Sequence, residues 1–259
     1  MYSPAEIANN FINTGITKTS LPKLKMLLLG IFAGAFIAFA GAGSSVASCM
    51  VTDASIGRIL SAVIFPAGLL MVILAGSELF TGNSLIIISV LEKRVKISAM
   101  LTNWVIVYIG NLVGSVLVAA AFVYGHVTDL FDGCLAESVV AAAAGKCSMS
   151  FQDALIKGIL CNILVCIAVW IAAGAKDFPG KILGLFFPIA VFVLCGFEHS
   201  IANMFFIPAG IFAGAEYGIT GVAGLGIAGF LHNLIPVTLG NIIGGVLVGA
   251  GYRYIYLKK

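Results

Sequence analysis

Glu198 and His199 stand side by side inside an otherwise apolar stretch, in the octet G-F-E-H-S-I-A-N that begins at Gly196. A second octet, G-S-E-L-F-T-G-N from Gly76, has the same skeleton, G-x-E-x-x-x-x-N. Each puts a carboxylate, small residues and hydroxyl or amide groups into a run apolar enough to lie in hydrocarbon, where no water satisfies them. Glycines and polar side chains at that depth break a helix, and a broken helix persists only where protein or a water-lined path receives its freed N–H and C=O groups. Two such breaks facing each other make a pore. His199 is the one histidine in either octet, and an intramembrane imidazole is read as functional: it gives a hydrogen bond or a proton to an arriving anion. Thr81 and His199 follow their matching glycines by five and three residues, so they are expected to meet where the breaks face. Glu78 and Glu198 hold equivalent places and are read as supports, each tying down its own break or pairing with a lysine. Asn162, in G-I-L-C-N-I-L-V-C-I-A from Gly158, is a candidate for the same path or for plain helix-to-helix hydrogen bonding. Leu79 and Phe80, and Phe65 and Phe192 before the breaks, are candidates for dry constrictions or for packing.

The elements that position these groups follow from composition. With 61% hydrophobic residues, 10% charged and a mean hydropathy of +1.12, the 259-residue chain carries more apolar surface than a soluble core uses, and is an all-α integral membrane protein. Charge-free runs of spanning length cover 27–51, 59–77, 98–124, 158–175, 182–197 and 217–252, which predicts six spans with the second and fifth broken. Residues 1–22 are polar, begin S-P-A-E and place Ile7, Ala8, Phe11 and Ile12 on one face. They predict a capped amphipathic helix on the membrane surface, not a signal peptide. The 125–150 stretch reads as a long loop.

Cations set the orientation. Lys18, Lys23, Lys25, Lys93, Arg94, Lys96, Lys176, Lys181, Arg253, Lys258 and Lys259 fall at the two ends and in the second-to-third and fourth-to-fifth loops. Both termini are therefore expected in the cytoplasm. The net charge of +3 is orientation signal and points to no nucleic acid. The six cysteines have no metal spacing and no cofactor is expected; Cys134 and Cys147 flank the long loop and could pair in an oxidising compartment.

The second half repeats the first. L-T-N-W-V-I-V-Y-I-G-N-L-V-G-S-V-L from Leu101 matches L-H-N-L-I-P-V-T-L-G-N-I-I-G-G-V-L from Leu231. Spans one to three (about 23–125) thus correspond to spans four to six (about 150–259) within one channel domain. Three spans are an odd number, so the second copy enters the membrane inverted, and such 3+3 inverted repeats place a solute site at the bilayer midplane. Half-helix N-termini at that midplane favour an anion.

These segments carry a resemblance. A-G-S-E-L-F-T-G-N, G-I-L-C-N-I-L-V-C-I-A and C-G-F-E-H-S-I-A-N-M-F-F-I-P-A-G resemble the signature stretches of the formate/nitrite transporter family, and the likeness covers nearly the whole chain. It implies an aquaporin-like protomer in a homopentamer of a bacterial cytoplasmic membrane, with one pore per protomer for small monovalent anions or their conjugate acids. Carried over, the central histidine is His199, the loop threonine Thr81 and the fourth-span asparagine Asn162. The vestibule lysines are Lys18 at the cytoplasmic mouth and Lys146 at the outer one. The constrictions fall on Leu79 and Phe80 inside and on Phe65 and Phe192 outside. Within the family the chain is most similar to the hydrosulfide channels, so hydrosulfide is the expected substrate, with formate and nitrite beside it.

Two other classes fit less well. A neutral-solute channel of the aquaporin kind carries N-P-A at its half-helix starts, whereas Phe65-Pro66-Ala67 and Ile207-Pro208-Ala209 lack the asparagine. An intramembrane enzyme needs a nucleophile with its base, or a ligand cluster, and one histidine supplies neither.

Overall fold

The computed structural model describes residues 1–258, which form helices and connecting turns, with no strand among them. In chain order the α-helices are α1 (Pro4–Thr19), α2 (Lys23–Ser48), α3 (Ala54–Ile64), α4 (Pro66–Leu74), α5 (Ile87–Leu91), α6 (Ile97–Tyr124), α7 (Cys134–Cys147), α8 (Phe151–Gly174), α9 (Phe178–Leu194), α10 (Ser200–Glu216) and α11 (Ile227–Leu257). A 3₁₀ turn, Gly82–Ile86, leads into α5. Among the described residues five stretches are long and apolar enough to cross a membrane: α2, α3 with α4, α6, α8 and α11. The shorter apolar helices, 82–91, α9 and α10, abut the two breaks.

Local chemistry sets the helix starts. Asp53 caps α3 through the Ser55 and Ile56 N–H groups, and Asp177 caps α9 through Gly180 N–H, so the element before each break begins with the same device. Ser3 and Glu6 close a capping box on α1. One face of that helix packs onto the protein itself: Ile7, Ala8 and Phe11 are buried, Phe11 stacking on Trp170 with ring centroids 5.3 Å apart. Pro66 ends α3 and starts α4, since it has no N–H to continue the ladder.

Packing is inside out relative to a soluble protein. On α6 Ile97, Leu101, Val105, Ile109, Val113 and Leu117 form an exposed apolar stripe at four-residue spacing, while Asn103, Asn111 and Ser115 are buried. The inverted repeat shows in the tightest crossings. A Cβ on Gly114 of α6 would run into the Ile31 carbonyl of α2, and one on Gly244 of α11 into the Ile159 carbonyl of α8. Side-chain-free positions let these backbones touch.

Three expectations change. The loop at 125–150 contains α7, whose Leu135, Val139, Val140 and Ala143 are buried against α10; its alanine-rich run is an ordinary short helix, below the length that a spanning search detects. Cys134 and Cys147 are the two ends of this 14-residue helix, about 20 Å apart at 1.5 Å per residue, so they do not pair. The last long helix begins at Ile227, not Tyr217, because Gly218, Gly221 and Gly224 take positive φ and hold 217–226 as a turn-rich loop.

Candidate functional site

Each break opens on a glycine with positive φ, Gly76 at 82° and Gly196 at 67°, a conformation that L side chains rarely adopt. The chain then leaves the helix over 77–79 and 197–199, turns at Phe80 and Thr81 in the first repeat, and resumes helix just after Thr81 and His199. Its freed backbone groups are taken up by one asparagine per repeat. Asn111 accepts from Phe80 N–H (3.0 Å) and donates to the carbonyls of Gly30 (2.8 Å) and Glu78 (2.9 Å). Asn241 accepts from Ser200 N–H (2.9 Å) and donates to the carbonyls of Gly158 (2.8 Å) and Glu198 (3.0 Å). These are the asparagines of the repeated G-N step, and the sequence reading left their role unassigned. The signal was present: an amide recurring at one place in two buried helices.

The glutamates serve the second of their two expected roles. Glu78 takes the Lys18 ammonium at 2.7 Å and Asn83 Nδ2 at 2.8 Å. Glu198 takes the Lys146 ammonium at 2.9 and 3.0 Å and Asn203 Nδ2 at 2.6 Å. Asn83 and Asn203 then donate to Asn103 and Asn233, which in turn donate to the carbonyls of Lys18 and Lys146. The loop is the same in both repeats. It ties α1 to the first break as it ties α7 to the second, so the short helix missed in the 125–150 stretch is the counterpart of the N-terminal one. A buried carboxylate held this way is both charge-paired and fully hydrogen-bonded, the condition under which an ion pair persists away from water.

At the centre Thr81 Oγ1 and His199 Nε2 meet at 2.9 Å, one from each repeat, as their spacing predicts. His199 also caps α10: its Nδ1 accepts the Ala202 N–H at 3.1 Å. A nitrogen that accepts a hydrogen bond carries no proton, so the neutral ring bears its hydrogen on Nε2 and donates it to Thr81. Asn162 lies one layer out, donating to the carbonyls of Thr81 (3.2 Å) and Asn241 (2.6 Å) and to Ser84 Oγ (3.3 Å).

Three cavities lie in line through this centre. On the α1 side one of about 190 Å³ is lined by Lys18, Lys181, Phe11, Val72, Leu69 and Leu79. On the α7 side one of about 580 Å³ is lined by Arg58, Lys146, Lys157 and Glu198 and narrows to Phe65, Phe192 and His199. Between them is a compartment of about 10 Å³ among Ile37, Val165, Ile189, Leu69, Leu79, Phe65, Phe192 and His199, room for one water at most. Leu69 and Leu79 line both this compartment and the α1-side cavity, whereas Phe65, Phe192 and His199 line both it and the α7-side cavity. Phe65 and Phe192 meet edge to face, with ring centroids 5.6 Å apart.

Not every expected residue faces this line. Phe80 turns its ring against Trp104 and Tyr108 and lines none of the three cavities, whereas Leu79 beside it lines two of them. Leu69 takes the place beside Leu79; its i+4 spacing from Phe65 was the sequence signal for it. Thr81 and Asn162 also line no cavity and hold His199 and the break from behind.

Comparison with known proteins agrees with this architecture. The formate channel BtFdhC of Bacillus thuringiensis is 38% identical over 262 residues, covering 100% of this chain and 97% of its own. A solved FNT family ion channel superposes with a TM-score of 0.87 at 28% identity, covering 96% of this chain and 98% of that one. A pentameric formate channel with formate bound superposes with a TM-score of 0.81 at 37% identity, covering 91% and 98%. The formate/nitrite transporter profile matches residues 5–255, and the chain belongs to that family of multi-pass membrane channels and transporters.

Proposed function

We propose that the chain is a channel for small monovalent anions, with formate the principal substrate, nitrite beside it, and hydrosulfide a second. The observation that carries the reading is one polar lining group, His199, backed by Thr81, at a compartment of about 10 Å³ between two apolar constrictions. A hydrated ion does not fit there, so a solute must shed its water, and the first donor it meets is the imidazole. His199 Nε2–H is already aimed by the α10 cap, and an arriving anion takes that hydrogen bond in place of Thr81 Oγ1. The formate channels at 37% and 38% identity support formate. Hydrosulfide rests on the dryness of the compartment alone: a small, weakly hydrated anion loses least on entering it.

In this reading the pore lies within one protomer of a homopentamer, and α9 with α10 makes the sixth crossing. The cation distribution supports placing α1, Lys18 and the C-terminus in the cytoplasm and α7 with Lys146 outside, in a bacterial inner membrane. Lys18 and Lys146 stand at the two mouths, each paired with its glutamate, and Leu69 with Leu79 and Phe65 with Phe192 gate the path. Proteoliposomes loaded in turn with formate, nitrite, hydrosulfide and glycerol test the whole reading. Protein-dependent flux of the anions and none of glycerol is expected; glycerol flux with no anion flux would replace it with a neutral-solute channel.

A further inference from the structure

The duplication that builds the two mouths does not make them equal. Each has a lysine bound to a glutamate, Lys18 to Glu78 and Lys146 to Glu198. Each also has a second cation one turn past an aspartate cap: Lys181 after Asp177 on the α1 side, Arg58 after Asp53 on the α7 side. The α7-side cavity has a third. The backbone position whose carbonyl accepts the break's glutamate N–H is Leu29 in the first repeat and Lys157 in the second. Lys157 lines the cavity with Arg58 and Lys146, giving three cations against one carboxylate, and among the described residues neither Arg58 nor Lys157 has an acidic partner. Arg58 reaches the second break itself: a Cβ on Gly196 would meet its guanidinium at 2.8 Å.

We infer that Arg58 and Lys157 form an anion-docking position at the α7-side mouth, a step before the Phe65–Phe192 constriction. The class of ligand is a small oxyanion or carboxylate, whose two oxygens match the guanidinium fork. Lys146 is committed to Glu198, so these two side chains are the ones free to hold an incoming anion. The cavity, at about 580 Å³, also admits oxyanions too large and too strongly hydrated for the compartment beyond it, and a dianion such as sulfate stops there as a blocker from that side alone. The effect on transport rests on the channel reading above. A passive conduit has equal permeability in both directions at low concentration, so docking on one face lowers half-saturation there and lowers the maximal flux from that face in proportion.

The test uses the full chain and its Arg58→Gln and Lys157→Leu variants, the second restoring the residue of the first repeat. In detergent at fixed ionic strength, the difference in melting temperature between sulfate and chloride is measured; sulfate is expected to stabilise the wild type beyond either variant. Equal sulfate increments in all three proteins would overturn the inference whether or not the chain conducts. In right-side-out and inside-out membrane vesicles, each variant should raise the formate half-saturation about two- to threefold from the α7 side, the Boltzmann factor of one charge at about 8 Å in water. The α1 side should be unchanged. An unaltered α7-side value, or sulfate block that survives both substitutions, also overturns it, whereas a wild type without anion flux would sink the channel reading and leave the melting comparison to decide the site.

Discussion

Replacing Asn241 by leucine removes one amide and little volume, so its cost isolates the hydrogen bonds that hold the second break. Two groups of the break lose their partner, Ser200 N–H and the Glu198 carbonyl, and the Gly158 carbonyl, inside α8, loses its second hydrogen bond. Side-chain hydrogen bonds inside membrane proteins are worth about 0.6 kcal/mol on average and up to about 1.7. Leaving a buried backbone group unpaired costs about 1–3 kcal/mol in general. Three together give about 3 kcal/mol, which for a chain of this size lowers the melting temperature by about 6–12 °C. Asn111 makes the same three bonds to Phe80 N–H, Gly30 and Glu78 at nearly the same distances, so Asn111→Leu should cost the same within about 1 kcal/mol. Thermal unfolding of the purified protein in one detergent, followed by tryptophan fluorescence, measures both. An Asn241→Leu protein that melts within about 2 °C of wild type would show that the break is held by packing, and the asparagine account would fail.

Four further outcomes follow from the geometry. His199→Phe removes both the Nε2–H donor and the α10 cap, and formate flux should fall about tenfold or more, the worth of one lost hydrogen bond to a dehydrated anion; unchanged flux would take the imidazole out of the path. Leu79→Ala should open the 10 Å³ compartment to the α1-side cavity and admit larger monocarboxylates, at a stability cost of about 2–5 kcal/mol; a stable variant with wild-type selectivity would assign Leu79 to packing. All six cysteines should alkylate after denaturation without reductant, read by intact mass, and a Cys134–Cys147 disulfide would contradict helix α7. Ser3 holds the Glu6 carboxyl below the usual range through its backbone N–H and its hydroxyl, so the capping box is intact above the ordinary carboxylate pKa and is lost as pH falls through the lowered one. Proteolysis of the N-terminal helix should therefore be flat from about pH 8 to 5 and rise only in stronger acid.

Much of this was legible before any coordinates. A carboxylate and an asparagine at matched spacing in two apolar runs announced the breaks, and the L-x-N…G-N repeat announced the inversion, because buried polar residues in hydrocarbon have few roles. The meeting of Thr81 with His199 followed from counting along those runs. What resisted was whatever depends on side-chain direction or on a weak helix signal. Phe80 is as apolar as Leu79, and only the turn of the backbone at the break decides that one faces the path and the other Trp104. Helix α7 has little amphipathic contrast and lies against α10, so its alanines read as loop although it places Lys146. The cysteines at its ends were open to pairing because sequence distance says nothing about the rise of a helix between them.

The repeat also separates scaffold from function. Residues that match under the duplication, Glu78 with Glu198, Asn83 with Asn203, Asn103 with Asn233 and Asn111 with Asn241, make the same bonds twice and hold each break open in the same shape. Three of the positions that differ lie around the centre: Leu79 stands where the second repeat has His199, Ile201 where the first has Thr81, and Gly34 where the second has Asn162. Asn162 braces the Thr81 carbonyl, Thr81 Oγ1 accepts the hydrogen bond of His199 Nε2–H, and His199 faces Leu79 across the central compartment. A fully symmetric pair of breaks would offer a passing anion either two donors, which would retain it, or none, which would exclude it. Breaking the symmetry at these few positions leaves one donor in the dry central compartment, so a restoration of symmetry should cut conduction from either direction by about tenfold or more: Leu79→His by trapping the anion between two rings, His199→Leu by removing the donor of that compartment.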